Sequence, residues 1–175
     1  MDAIVEAALR KWPNVPHCHG WLALDARGDW YMRDERIQHA GPFPRPKGSR
    51  IEHEKLRAFI ERNYGHDETG AWFFQNGPQR VYVELEAAPW VWRLGPAPLH
   101  VLHTHTGLPT LLQTSWLDES GRLFLDTTLG CGIVHSMDMD LAAQAVESGH
   151  AAWQPQELAF ANMPARFGYR LNPAV

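Results

Sequence analysis

The strongest alternation of apolar and polar positions lies in residues 71–94, AWFFQNGPQRVYVELEAAPWVWRL. Val81, Val83 and Leu85 alternate with Tyr82, Glu84 and Glu86, the period-2 pattern of a strand with one buried face. Gln75, Asn76, Gly77 and Pro78 form a turn cluster before it. Ala87, Ala88 and Pro89 interrupt the ladder after it, because proline donates no backbone hydrogen bond. Trp90, Val91, Trp92, Arg93 and Leu94 then resume the alternation. The pattern predicts three antiparallel strands joined by short turns.

Elsewhere the period lengthens. Ile4, Val5, Ala8, Leu9 and Trp12 make one stripe of a first helix, with Asp2 placed to cap it and Pro13 to stop it. Ser49 and Glu52 read as a capping box opening a second helix. Its Leu56, Phe59 and Ile60 share a face, and Gly65 stands as a left-handed cap. A further helix runs from Asp138 as cap through Leu141, Ala142, Ala145 and Val146 to Gly149. Short strands are predicted at 21–24, 29–32, 99–104, 110–117, 122–126 and 165–171. Residues 39–48, with three prolines and two glycines, read as an extended surface loop.

Gly95-Pro96-Ala97-Pro98 is a stiff break. It divides the expected fold into residues 1–95, a helix plus antiparallel-sheet half, and 96–175, a second antiparallel-sheet half with one helix. The fold class is α+β, two small halves each formed by a twisted antiparallel sheet carrying a helix. One turn recurs three times. Asp25–Gly28, Asp67–Gly70 and Asp118–Gly121 share D-x-x-G followed by bulky residues, so that Asp bonds the turn backbone and Gly takes a positive φ. Reuse of a good hairpin turn and true internal duplication both account for this.

Composition narrows the function classes. Eight tryptophans among 175 residues supply much burial per side chain, which suits small sheets. A net charge of −4 with no Lys/Arg-rich run offers nothing to nucleic acid, and no apolar stretch reaches membrane-spanning length. The first helix carries acids near its start and lacks the apolar core of a signal peptide, so a cytoplasmic location with Cys18 and Cys131 as reduced thiols is expected.

The order of motifs carries a resemblance. A D-x-x-G-x-W-Y strand precedes a polar loop and a capped helix; a D-x-x-G-aromatic hairpin and V-x-V-E-x-E-A-A-P-W follow. Through Trp30, Tyr31, Gly70, Trp72, Val81, Val83, Glu86, Ala88, Pro89 and Trp90, residues 21–94 resemble the bacterial domain-of-unknown-function family 1285 or a distant sister family. Ala87 stands where that pattern places an acid, and Asn76-Gly77-Pro78 stands near a Thr-Pro. The resemblance implies a two-part α+β fold with repeated motifs and a ligand-binding or signalling role.

Among ten histidines, His103 and His105 lie on one face of a predicted strand, as a pair of imidazole ligands requires, with His100 on the other. His17 and His19 flank Cys18 in the same way, and Cys131 with His135 is a third potential contribution. No H-E-x-x-H or paired C-x-x-C is present, so exposed or hydrogen-bonded histidines are the expectation. Cys131, between Gly130 and Gly132, reads as a small residue at a tight bend. Glu84 and Glu86 could serve as acid and base, though a solvated face explains them equally.

The sequence therefore predicts a non-catalytic small-ligand-binding or regulatory protein without a cofactor. Its site would lie at a seam between halves, where Trp90 and Trp92 give apolar walls and Arg93, His103 and His105 fix a polar or anionic group. A metal-dependent hydrolase using His103 and His105 is the first alternative. A scaffold or homo-oligomer associating through its aromatic surface is the second.

Overall fold

A computed structural model describes residues 1–95 and 101–174. The fold is α+β and divides into two compact units. The first holds Met1–Asp25, Asp29–Glu86 and the tail from Tyr169 onward; the second holds Ala26–Gly28 and Ala87–Gly168.

In the first unit α1 (Ala3–Lys11) precedes β1 (Cys18–Leu24), β2 (Trp30–Met32), α2 (Glu35–Ala40), β3 (Ser49–Arg50), α3 (Glu54–Arg62), β4 (Tyr64–His66), β5 (Trp72–Asn76) and β6 (Gln79–Leu85). The six strands lie in the order β3-β2-β1-β6-β5-β4. The sheet is mixed, not purely antiparallel as expected, because β1 and β6 pair in parallel, with Leu22 beside Val83 and Leu24 beside Leu85. Ile51, Ile60, Phe74, Val83 and Leu24 belong to its buried core.

Three predicted caps are corrected. The Asp2 carboxylate makes no capping bond; Arg62 at the end of α3 takes it at 3.2 Å, an ion pair that wins over the free amides of α1. Ser49 does not open the second helix. It lies in β3 opposite Met32, and α3 starts at Glu54 with the His53 ring nitrogen Nδ1 accepting from Leu56 N–H at 3.3 Å. Gly65 is no cap either, since it pairs with Phe73 within β4. His53→Ala is expected to lower stability by about 0.5–1 kcal/mol, and Ser49→Ala by less than about 0.5 kcal/mol. Urea midpoints rank the two, and the opposite order would return the helix start to Ser49.

The second unit contains β7 (Trp90–Leu94), β8 (Val101–Thr104), β9 (Pro109–Leu117), β10 (Leu123–Thr127), β11 (Gly130–Val134), α4 (Met139–Glu147), β12 (Gln156–Glu157) and α5 (Met163–Phe167). The strands run β10-β11-β7-β8-β9-β12, and β9 also pairs with β10. Five strands thereby close on themselves as a small barrel, which leaves those strands no free edge. Its β7–β11 and β9–β12 pairings are parallel.

This topology revises the reading of residues 71–94. Only β5 and β6 form the expected hairpin; β7 pairs with β8 and β11 in the barrel. The break at Gly95–Pro98, of which Pro96–Pro98 lie outside the described residues together with Leu99 and His100, thus joins two strands of one sheet. Cys131 sits within β11, not at a bend, and is buried. Residues 165–171 do not form a strand. After α5 the chain returns to the first unit, where Arg170 N–H donates to Gly70 O at 3.0 Å and Leu171 O accepts from Leu85 N–H at 2.8 Å.

The recurrent turn is built as its residues dictate. Asp25, Asp67 and Asp118 each accept through Oδ1 from the backbone N–H four residues on, at 3.0, 3.2 and 2.8 Å. The glycine in each takes a positive φ, from 75° to 82°. A fourth copy at Thr104–Gly107 uses the threonine Oγ1, which accepts from Leu108 N–H at 2.9 Å. A pattern requiring Asp passes over it.

Candidate functional site: a polar cleft over a buried ion pair

The face of β6 carrying Tyr82, Glu84 and Glu86 is not the solvated surface that alternation implies. Tyr82 and Glu84 are each 8% exposed. Residues remote in sequence border this face: Gln38 of α2, Gly41 and Pro42 after it, and Asn172 and Ala174 of the returning tail. With His19, Gly20, Arg33 and Glu84 they line a cleft of about 480 Å³ within the first unit.

Arg33 follows directly on β2 and is 2% exposed. One terminal nitrogen, Nη1, donates to Glu84 Oε2, and Nη2 donates to the Gly41 carbonyl at 2.6 Å. The Nε–H donor is buried and has no partner among the described residues. The Phe43 ring lies 5.7 Å from the guanidinium carbon, and Gln38 Nε2 donates to the Arg33 carbonyl at 2.8 Å. Asp34 caps α2 by accepting from Ile37 N–H at 2.9 Å, which fixes the helix that delivers Gln38. Gly20 is required here. It takes φ 79°, and a Cβ there would stand 2.6 Å from Gln38 Oε1.

His19 stacks on Tyr82 with centroids 4.5 Å apart and planes 7° apart. The Tyr82 hydroxyl donates to Asp67 Oδ2 at 3.0 Å. Beyond Glu84 on the same strand face, Glu86 Oε2 and Asp25 Oδ2 share the Lys47 ammonium at 3.1 and 2.8 Å. Burial draws the Lys47 pKa down, but its bonds to the two carboxylates outweigh this and raise it. Glu84 and Glu86 are therefore both paired with cations.

The five residues assigned to a ligand site from sequence, Trp90, Trp92, Arg93, His103 and His105, lie in the second unit, where the structure groups some and separates others. Trp90 and Trp92 rings stand 6.4 Å apart, and the His105 ring lies 5.9 Å from Trp90. Both indoles are buried; Trp90 Nε1–H donates to Leu129 O at 2.9 Å and Trp92 Nε1–H to Leu125 O at 3.0 Å. Arg93 is held by Asp138, with Nε donating to Oδ2 at 2.7 Å and Nη2 to Oδ1 at 3.2 Å. His103 is exposed on β8 opposite Arg93. His105 has left the strand for the turn, where its Nδ1 accepts from Val91 N–H at 3.3 Å. Among the described residues no three His, Cys, Asp or Glu side chains stand close enough to hold a metal ion. Burial drives the Cys131 thiol pKa far above its ordinary range, the opposite of what a nucleophile needs.

Asp67 and Asp138 give a pH prediction. Burial pushes both carboxyls upward. The Thr69 hydroxyl bond and the Thr69 and Ala71 amides overcome this at Asp67, and the Arg93 bond and Leu94 N–H do so at Asp138, so both pKa values are lowered. A carboxyl lowered on folding contributes stability that is present above its unfolded pKa, near 3.9, and lost as pH falls through the folded value. Urea midpoints should therefore fall below about pH 4. Asp138→Asn should flatten that fall; an unchanged slope in both Asp67→Asn and Asp138→Asn would reject the assignment.

A protein-family model matches residues 1–174. The chain belongs to the DUF2944 family. That family is described as "Protein of unknown function (DUF2946)". Two crystal structures are similar to this DUF2944 chain. One is a DUF1285 family protein from Silicibacter pomeroyi, with 12% identity and a TM-score of 0.49, covering 81% of this chain and 82% of that one. The other is a DUF1285 family protein from Shewanella baltica, with 15% identity and a TM-score of 0.48, covering 71% and 91%. No curated protein matches the sequence. The expectation of a family of unknown function is met, and the family shown is DUF2944.

Arg33, Gln38 and Asn172 were not singled out by sequence reasoning. The available signal was Tyr82, Glu84 and Glu86 sharing one strand face, together with an arginine at the end of the β1–β2 hairpin. No local pattern joins them.

Proposed function

We propose that the first unit is a non-catalytic small-ligand-binding module whose site is the cleft over Arg33 and Glu84. One observation carries this: a fully buried guanidinium borders a polar cleft with a donor left unused. A buried ion pair is often no more stabilising than apolar residues of the same volume. An unmet buried N–H costs a further 1–3 kcal/mol or so. A cleft of this size lies in the range of small-molecule sites. A ligand oxygen that displaces the cleft wall and accepts from Nε–H, which is closed to water in the free protein, would recover what the free protein forgoes.

The test is a thermal-shift screen of small polar metabolites at millimolar concentration, followed by calorimetric titration of hits. A hit should raise the melting temperature of the wild type and bind at least tenfold more weakly to Asn172→Ala and Gln38→Ala, which alter the cleft wall while keeping the ion pair. Hits that bind both variants undiminished, or no hit at all, would remove the cleft as the site.

A further inference from the structure

From the charge balance of the cleft, and resting on the binding reading above, we infer that the ligand is a net-neutral zwitterion of the α-amino-acid class. Arg33 and Glu84 neutralise each other at the cleft. The other polar side chains lining it are His19, Gln38 and Asn172, and among the described residues no further Lys, Arg, Asp or Glu borders it. A bare carboxylate on Arg33 would set two negative groups against one buried guanidinium. A bare amine beside Glu84 would leave one positive charge in excess. A ligand carrying both charges leaves the site neutral.

The unused hydrogen-bonding groups match such a ligand. Arg33 Nε–H is closed to water in the free protein and is met only by a ligand that shifts the cleft wall; a carboxylate oxygen is the strongest common acceptor for it. Glu84 uses only Oε2 toward Arg33, so Oε1 remains to accept from an ammonium group. Asn172 Oδ1 is occupied by the Ala174 N–H at 2.9 Å, which leaves its amide Nδ2 as a second donor toward the carboxylate. Gln38 commits Nε2 to the Arg33 carbonyl and keeps Oε1 as a second acceptor toward the ammonium. The cleft thus offers donors and acceptors in pairs, and simple acids or simple amines satisfy only one set.

The experiment is calorimetry with three matched probes: free L-amino acids, the carboxylic acids lacking the amino group, and the amines lacking the carboxylate. The inference expects at least one amino acid to bind with its matched acid and amine each at least tenfold weaker. Glu84→Gln removes one negative charge, so it should weaken the amino acid and improve the matched acid; melting curves establish that the variant is folded. Wild-type binding of the bare acid or amine as tightly as the amino acid would overturn the inference yet leave the binding reading intact. A metabolite screen that returns only ligands without both charges would do the same. Failure of every compound, in the screen and in this panel, would overturn both.

Discussion

Arg33→Met is expected to destabilise the protein by about 3–5 kcal/mol, because it leaves the Glu84 carboxylate buried without its counter-ion. Glu84→Leu should cost a similar amount by stranding the guanidinium. The two losses should not add. In the double variant Arg33→Met/Glu84→Leu no buried charge remains, and at least half of either single loss should return. Urea unfolding of the four proteins closes the cycle. Additive losses would mean that the pair interacts weakly despite its burial. The double variant should also lose any ligand found for the cleft, which separates the structural from the recognition role of the same two residues.

The second large effect is expected at Gly132 in the barrel. A Cβ at this position would lie 2.6 Å from the Trp90 carbonyl oxygen and 2.6 Å from both Cε2 and Nε1 of the Trp92 indole. Neither neighbour can retreat easily. Gly132 pairs with Trp90 in the parallel β11–β7 ladder, and Trp92 is fully buried with its indole N–H on Leu125 O. Overpacking of a filled core costs about 1–3 kcal/mol and sometimes more. Gly132→Ala should fall at the upper end of that range because part of the clash is with backbone. Trp92→Phe, destabilising alone through the lost indole contacts, should restore part of the stability in the Gly132→Ala background. Independent, additive effects in chemical denaturation would show that the methyl group is accommodated elsewhere.

Much of this fold was legible in the chain. Alternation at Val81–Leu85 marked β6, the D-x-x-G spacing marked three turns, and the 3.6-residue stripes marked α1, α3 and α4, because these features depend on neighbours a few residues apart. Where two local rules competed, the sequence could not rank them. The Ser49-x-x-Glu52 box is a sound local signal, but ladder bonds to β2 drew Ser49 into a strand and passed the capping role to His53. The run 71–94 looked continuous, yet its last strand joined the barrel, since alternation states that a strand has two faces and not which sheet receives it.

The candidate site was almost entirely a matter of tertiary structure. Alternation correctly grouped Tyr82, Glu84 and Glu86 on one face and then implied water over it. That face is instead bordered by α2, the loop after it and a tail that returns from residue 169, across separations of more than 40 residues on one side and more than 80 on the other. The fold surrounds Glu84, and only this makes Arg33 its obligatory partner, since an enclosed carboxylate is costly without a counter-charge. Composition and periodicity determined which segments are strands and helices. Long-range closure determined which polar residues were taken out of water, and those residues form the cleft.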